Sequence, residues 1–160
     1  MFSLKDIIDI AVQIEQNGER VYRNAAKKIK DPSLKSLMQW LADEETRHER
    51  WFQALKGAMP ETGEYPEQEE MGRALLRDAV GSKSFALENA DFSSMEKIEE
   101  LLRLAIEFEQ DTMLFYKMLQ PLIEGQRTLE QLHVIIQEEE NHAARLKEML
   151  PEAQVEDGKG

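Results

Sequence analysis

The stretch LADEETRHERWF, residues 41–52, returns in outline as IIQEEENHAARL, residues 135–146. Leu41 corresponds to Ile135 and Phe52 to Leu146, while Glu44, Glu45 and His48 correspond to Glu138, Glu139 and His142. Both copies contain Glu-x-x-His, a spacing that sets the two side chains on one face of a helix. That face is the apolar one: Glu45 lies between Leu41 and His48, and Glu139 between Ile135 and His142. The offset is 94 residues, from His48 to His142. With only two copies, the pattern is a duplicated hairpin and not a solenoid.

Working outward, the same offset pairs Ala11 with Ala105, Glu15 with Glu109, Gln16 with Gln110 and Tyr22 with Tyr116. Leu4 to Ile29 carries Ile8, Ala11, Gly18, Tyr22, Ala25 and Ile29 at helical period, which predicts one long amphipathic helix. Asp31-Pro32-Ser33 ends it and offers Ser33 as the next N-cap. The second helix runs to about Lys56 with Leu34, Leu37, Leu41, His48, Phe52 and Leu55 on one face, and Gly57 beyond. A third starts near Ser93, where Ser93 and Glu96 have capping-box spacing. It carries Ile98, Leu102, Ala105, Thr112, Tyr116 and Leu119 before breaking near Pro121. Thr128 and Gln131 repeat the capping-box spacing, and a fourth helix continues to about Leu150.

Between the pairs, Pro60, Gly63 and Pro66 mark a loop, and residues 67–80 have the pattern of a short helix ending at Gly81. Residues 57–92 hold too few apolar side chains for a core and are expected to be a crossover. The fold class is therefore all-α: a four-helix bundle of two antiparallel hairpins joined by a long connection. Residues 1–150 are expected to form this single unit, with 151–160 a polar tail.

Composition narrows the chemistry. The 160 residues carry 20 Lys+Arg against 32 Asp+Glu, a net charge of −12, which disfavours nucleic acid as a partner. No apolar run reaches the roughly eighteen residues of a membrane span, and the first ten residues lack a signal-peptide pattern. A cytoplasmic setting is expected. With no Cys, thiolate zinc sites, Cys-ligated iron–sulfur clusters and thiol nucleophiles are ruled out.

Each helix thus aims one carboxylate at the core: Glu15, Glu45, Glu109 and Glu139. Burying an ionised carboxylate costs several kcal/mol, against a whole-domain stability of about 5–15 kcal/mol. Either protons or cations must neutralise the set. Four Glu balance two divalent metals, and His48 and His142 complete the shell. Oxygen-rich ligation with one nitrogen per metal suits iron or manganese. A lone Glu-x-x-His is ordinarily a solvated pair. Two copies at one offset, each matched by a further stripe Glu, argue against that. The remaining His133 falls beside the stripe and is expected at the surface.

Glu on one helix and Glu-x-x-His on the next, given twice, resembles the ligand set of ferritin-like di-iron carboxylate proteins. The stretches Ile14-Glu15-Gln16-Asn17-Gly18-Glu19-Arg20-Val21-Tyr22 and Glu44-Glu45-Thr46-Arg47-His48 resemble the rubrerythrin branch in particular. The resemblance implies that Glu15, Glu45, His48, Glu109, Glu139 and His142 ligate two iron ions, with Glu45 and Glu139 bridging. Manganese or zinc are the alternatives in purified protein. Three departures stand out. Without Cys there is no rubredoxin-like centre, so electrons come from an external donor protein. Ile106 and Thr112 flank Glu109 at three residues, where rubrerythrins place a seventh carboxylate. Thr46 follows Glu45, where bacterioferritins have a haem-binding Met, so no haem is expected.

Tyr22 and Tyr116, each two turns beyond a ligand Glu, suit either a hydrogen bond to a ligand carboxylate or core packing. Trp40, Trp51, Phe52 and Phe115 are read as core or dimer packing. Gly18 suits either close helix packing or room beside the metals, and the sequence does not choose. The leading function is a di-iron oxidoreductase reducing peroxide or dioxygen, as a homodimer or higher homo-oligomer. The alternatives are a ferroxidase or iron-handling protein, and a non-catalytic, metal-stabilised helical interaction module.

Overall fold

The computed structural model describes residues 4–59 and 95–150, the side chains of the second stretch from Ile98 onward. These residues form four helices, α1 (Leu4–Lys28), α2 (Pro32–Gly57), α3 (Met95–Leu119) and α4 (Gln126–Glu148), with no strand among them. The chain divides into two compact units, one holding α1 and α2 and the other α3 and α4. The expected short helix at 67–80 and the Ser93–Glu96 cap lie outside the described residues, as does the 151–160 tail. No helix among the described residues is long and apolar enough to cross a membrane.

In the first unit, α1 buries Ile8, Ala11, Glu15, Gly18, Tyr22 and Ala25, alternating steps of three and four that keep one stripe against α2. The hairpin is antiparallel. Its cross-links Asp9–Lys56, Gln16–Glu49 and Arg23–Asp43 climb α1 as they descend α2. On α2 the buried set is Leu34, Met38, Leu41, Ala42, Glu45, His48 and Phe52. Leu37 and Leu55, expected on this face, are only half-buried. Met38 and Ala42 take the central places because the three-four alternation through Leu34, Leu41, Glu45 and His48 runs through them. Position on the helix outweighs the stronger hydrophobicity of Leu.

The second unit follows the same logic. α3 buries Leu102, Ala105, Glu109, Thr112, Tyr116 and Leu119, and α4 buries Leu132, Ile135, Glu139, His142 and Leu146. At Pro121 the α-helix gives way to a single 3-10 turn over Gln120–Leu122, closed by Ile123 N–H donating to the Gln120 carbonyl at 3.3 Å. Pro121 cannot donate the next α-helical bond, so the expected break falls there.

Two caps differ from the sequence expectation. The N-cap of α2 is Asp31, not Ser33: its side chain accepts from Leu34 N–H at 2.8 Å. Pro32 suits the first helical position because its missing N–H would have no partner there, so the helix begins two residues earlier. Likewise α4 starts at Gln126 after Gly125, whose φ of 95° suits only glycine comfortably. Thr128 therefore stands inside the first turn and is not the cap. Asp31→Ala is expected to cost about 1 kcal/mol, lowering Tm by about 2–4 °C, whereas Asp31→Asn retains most of the stability. A pair of thermal melts checks this.

Candidate metal centre

Each hairpin gathers three of the six predicted residues. In the first, α1 supplies Glu15 and α2 supplies Glu45 and His48, all three with no exposed surface. Each brings one ligand atom within 4.8 Å of the other two. His48 Nδ1 lies 3.5 Å from Glu15 Oε1. In the second, α3 supplies Glu109 and α4 supplies Glu139 and His142, again with no exposed surface. Their ligand atoms also lie within 4.8 Å of one another. His142 Nδ1 is 3.5 Å from Glu109 Oε2 and 3.4 Å from Glu139 Oε2.

These separations are longer than a good N–H···O bond, about 2.7–3.2 Å. Donor atoms that share a cation at about 2.0–2.2 Å each are spaced on this scale. The electrostatics agree. Burial pushes the Glu109 carboxyl up to about 8, helped by the charge of Glu139 and a hydrogen bond with it, and opposed by His142. For His142, burial acts to lower the pKa, but the Glu109 and Glu139 carboxylates beside its Nδ1 outweigh it and hold the imidazole up at about 10. Without metal, Glu109 and His142 both hold protons at pH 7. A divalent ion bound there would displace them, because ligating imidazole is neutral and ligating carboxylate ionised. The donor set, two carboxylates and one imidazole per hairpin with no sulfur, fits iron or manganese.

The neighbouring positions divide into those the sequence foresaw and those it left open. Tyr22 and Tyr116 are fully buried, and Tyr116 packs edge-on to Phe115 with ring centroids 6.0 Å apart. Phe52 is buried with Trp51 edge-on against it at 4.9 Å, while Trp40, Trp51 and Phe115 are half-buried. His133 is exposed, as expected. The hydroxyl of Thr46 donates to the Ala42 carbonyl at 3.1 Å. Thr112, on the same stripe as Glu109, donates to the Phe108 carbonyl at 2.7 Å. Gly18 is the residue whose role the sequence left undecided. A Cβ there would meet the Glu45 carboxyl group, so the structure favours room beside a ligand over helix packing.

The sequence model of the rubrerythrin family matches residues 6–99. The chain belongs to the rubrerythrin family. The match covers Glu15, Glu45 and His48, whereas the second triad lies beyond it and rests on the internal repeat. Two solved structures extend the likeness of this rubrerythrin-family chain to its full fold. One, from Thermotoga maritima and assigned as a ferritin-like diiron-carboxylate protein, is 22% identical with a TM-score of 0.67, covering 92% of this chain and 94% of that one. The other, a hypothetical protein from Pyrococcus furiosus, is 21% identical with a TM-score of 0.70, covering 91% and 87%. At that identity they show the fold alone, the all-α ferritin-like four-helix bundle. No curated protein matches the sequence.

Proposed function

We propose that this rubrerythrin-family protein is a non-haem di-iron oxidoreductase that reduces peroxide or dioxygen, with electrons from an external donor protein. The observation that carries the reading is the pair of fully buried Glu, Glu, His triads, one per hairpin, in a chain without cysteine. In this reading Glu15, Glu45 and His48 with Glu109, Glu139 and His142 hold two iron ions. When bound, such a pair supplies two electrons to an O–O bond.

The protein's part is to hold, neutralise and shield. Four Glu carboxylates would offset the charge of two divalent ions, and all four are without exposed surface. The two imidazoles bind as neutral ligands through nitrogen. His142 and Glu109, which retain protons in the metal-free state, release them as the metal enters. Tyr22 and Tyr116, buried two turns beyond Glu15 and Glu109, serve to hold ligand carboxylates in orientation.

Single turnover tests the activity. Protein loaded anaerobically with two ferrous ions per chain should consume one hydrogen peroxide per pair, taking two protons and yielding two waters and two bound ferric ions. Re-reduction should restore the capacity. Peroxide left unconsumed would contradict the reading. Release of the ferric iron would instead assign the protein to iron oxidation and transfer, and stable metal binding without turnover to a metal-stabilised interaction module.

A further inference from the structure

We infer that Gly18 is a positioning residue for Glu45: the missing side chain is the space that the Glu45 carboxyl group occupies. This rests on the reading of Glu45 as a metal ligand. A Cβ built on Gly18 would lie 2.9 Å from Glu45 Cδ, 3.0 Å from its Oε2 and 3.3 Å from its Cγ. Contacts below 3.0 Å are essentially unknown for real Cβ atoms, so something must shift. All three atoms belong to one flexible side chain and none to backbone. The methyl of an alanine would therefore displace the carboxylate and leave the helices in place.

The backbone gives no other reason for glycine here. Gly18 lies in the interior of the 25-residue α1, and Gly125 alone among the described glycines has positive φ. Alanine is the better helix former at such a place. Gly57, by contrast, has nothing within 4 Å of a built Cβ. The internal repeat sharpens the point. The counterpart of Gly18 is Thr112, which carries a buried side chain whose hydroxyl is committed to the Phe108 carbonyl. The duplication is unequal at this position, and the glycine belongs to the first hairpin only. The metal centre consequently depends on Gly18 through Glu45, whereas Glu139, the counterpart of Glu45, faces a threonine and not a glycine in the repeat.

The test uses the full-length metal-free chain and cobalt(II), whose visible bands report ligand geometry. The variants are Gly18→Ala, Gly57→Ala, Glu45→Ala and the Gly18→Ala/Glu45→Ala double. Gly18→Ala is expected to melt, without metal, within about 2–4 °C of wild type or above it. It should bind cobalt at least about tenfold more weakly, with altered visible bands. Gly57→Ala should leave cobalt binding unchanged. In the Glu45→Ala background, Gly18→Ala should have no further effect on cobalt binding, because the atoms it would strike are gone. Wild-type affinity and spectrum in Gly18→Ala overturn the inference while leaving the two-metal reading intact. A wild-type chain that binds no cobalt overturns the reading beneath it. If Gly18→Ala does not fold, the double variant decides: recovery of the fold supports the assignment, and failure to recover overturns it.

Discussion

Ferrous or manganous ion is expected to raise the melting temperature of the metal-free protein by about 8–16 °C per site at a thousand-fold excess over Kd. The figure follows from about 4 kcal/mol of linkage at that excess and about 2–4 °C per kcal/mol for a chain of this size. The reason lies in the first triad as much as the second: Glu15 and Glu45 are both withdrawn from water beside His48. A cation that binds only the folded chain converts this unfavourable burial into affinity. Glu45→Ala should remove most of the gain. In the metal-free form the same substitution should be neutral or stabilising, since it removes a buried carboxylate. A surface carboxylate would change neither form by more than about 0.5 kcal/mol. Four melts, wild type and Glu45→Ala with and without metal, separate these cases. Equal metal-induced shifts in both proteins would exclude Glu45 as a ligand.

The second large effect is on pH. The carboxyl of Glu109 has its pKa raised from 4.5 to about 8 in the fold, and the His142 imidazole from 6.5 to about 10. A group whose pKa rises on folding stabilises the fold below its unfolded pKa and loses that contribution as pH climbs through the folded value. Glu109 therefore withdraws stability between about pH 4.5 and 8, and His142 between about pH 6.5 and 10. Both act in one direction. The metal-free protein should lose several kcal/mol between pH 5 and 9, whereas metal-induced stabilisation should grow over the same range as the ligands shed their protons. Glu109→Gln, which cannot ionise, should flatten most of the metal-free decline below pH 8. A metal-free Tm that is constant or rising from pH 5 to 9 would contradict the electrostatic account of the second triad.

The residues that were legible in the sequence share one property: their signal is local. Steps of three and four through Ile8, Ala11, Glu15, Gly18 and Tyr22 declare both the helix and the face on which Glu15 sits. The same is true of Leu41, Glu45, His48 and Phe52, and the 94-residue repeat extends the assignment to Glu109, Glu139 and His142. What local pattern could not decide was competition. Ser33 and Thr128 both have capping chemistry, but Pro32 at the first helical position and Gly125 at positive φ moved the starts upstream. Leu37 is more hydrophobic than Met38, yet Met38 holds the central position. Gly18 was visible as an odd residue in a helix interior, but its partner Glu45 lies on the other helix of the hairpin, and only the fold brings the Glu45 carboxyl to within 2.9 Å of where a Cβ on Gly18 would stand. Family membership was legible for the same local reason, through the two quoted stretches around Glu15 and Glu45, both of which fall within the matched residues 6–99.

The central claim is that the two triads hold a pair of metals in one chain. Iron K-edge X-ray absorption on the anaerobically titrated, ferrous-loaded protein tests it most directly. The account predicts saturation at two iron ions per chain, an oxygen and nitrogen shell near 2.0–2.2 Å without sulfur, and an iron–iron distance of about 3.5–4 Å. Saturation at one ion, or two ions with no iron–iron scattering, would contradict it.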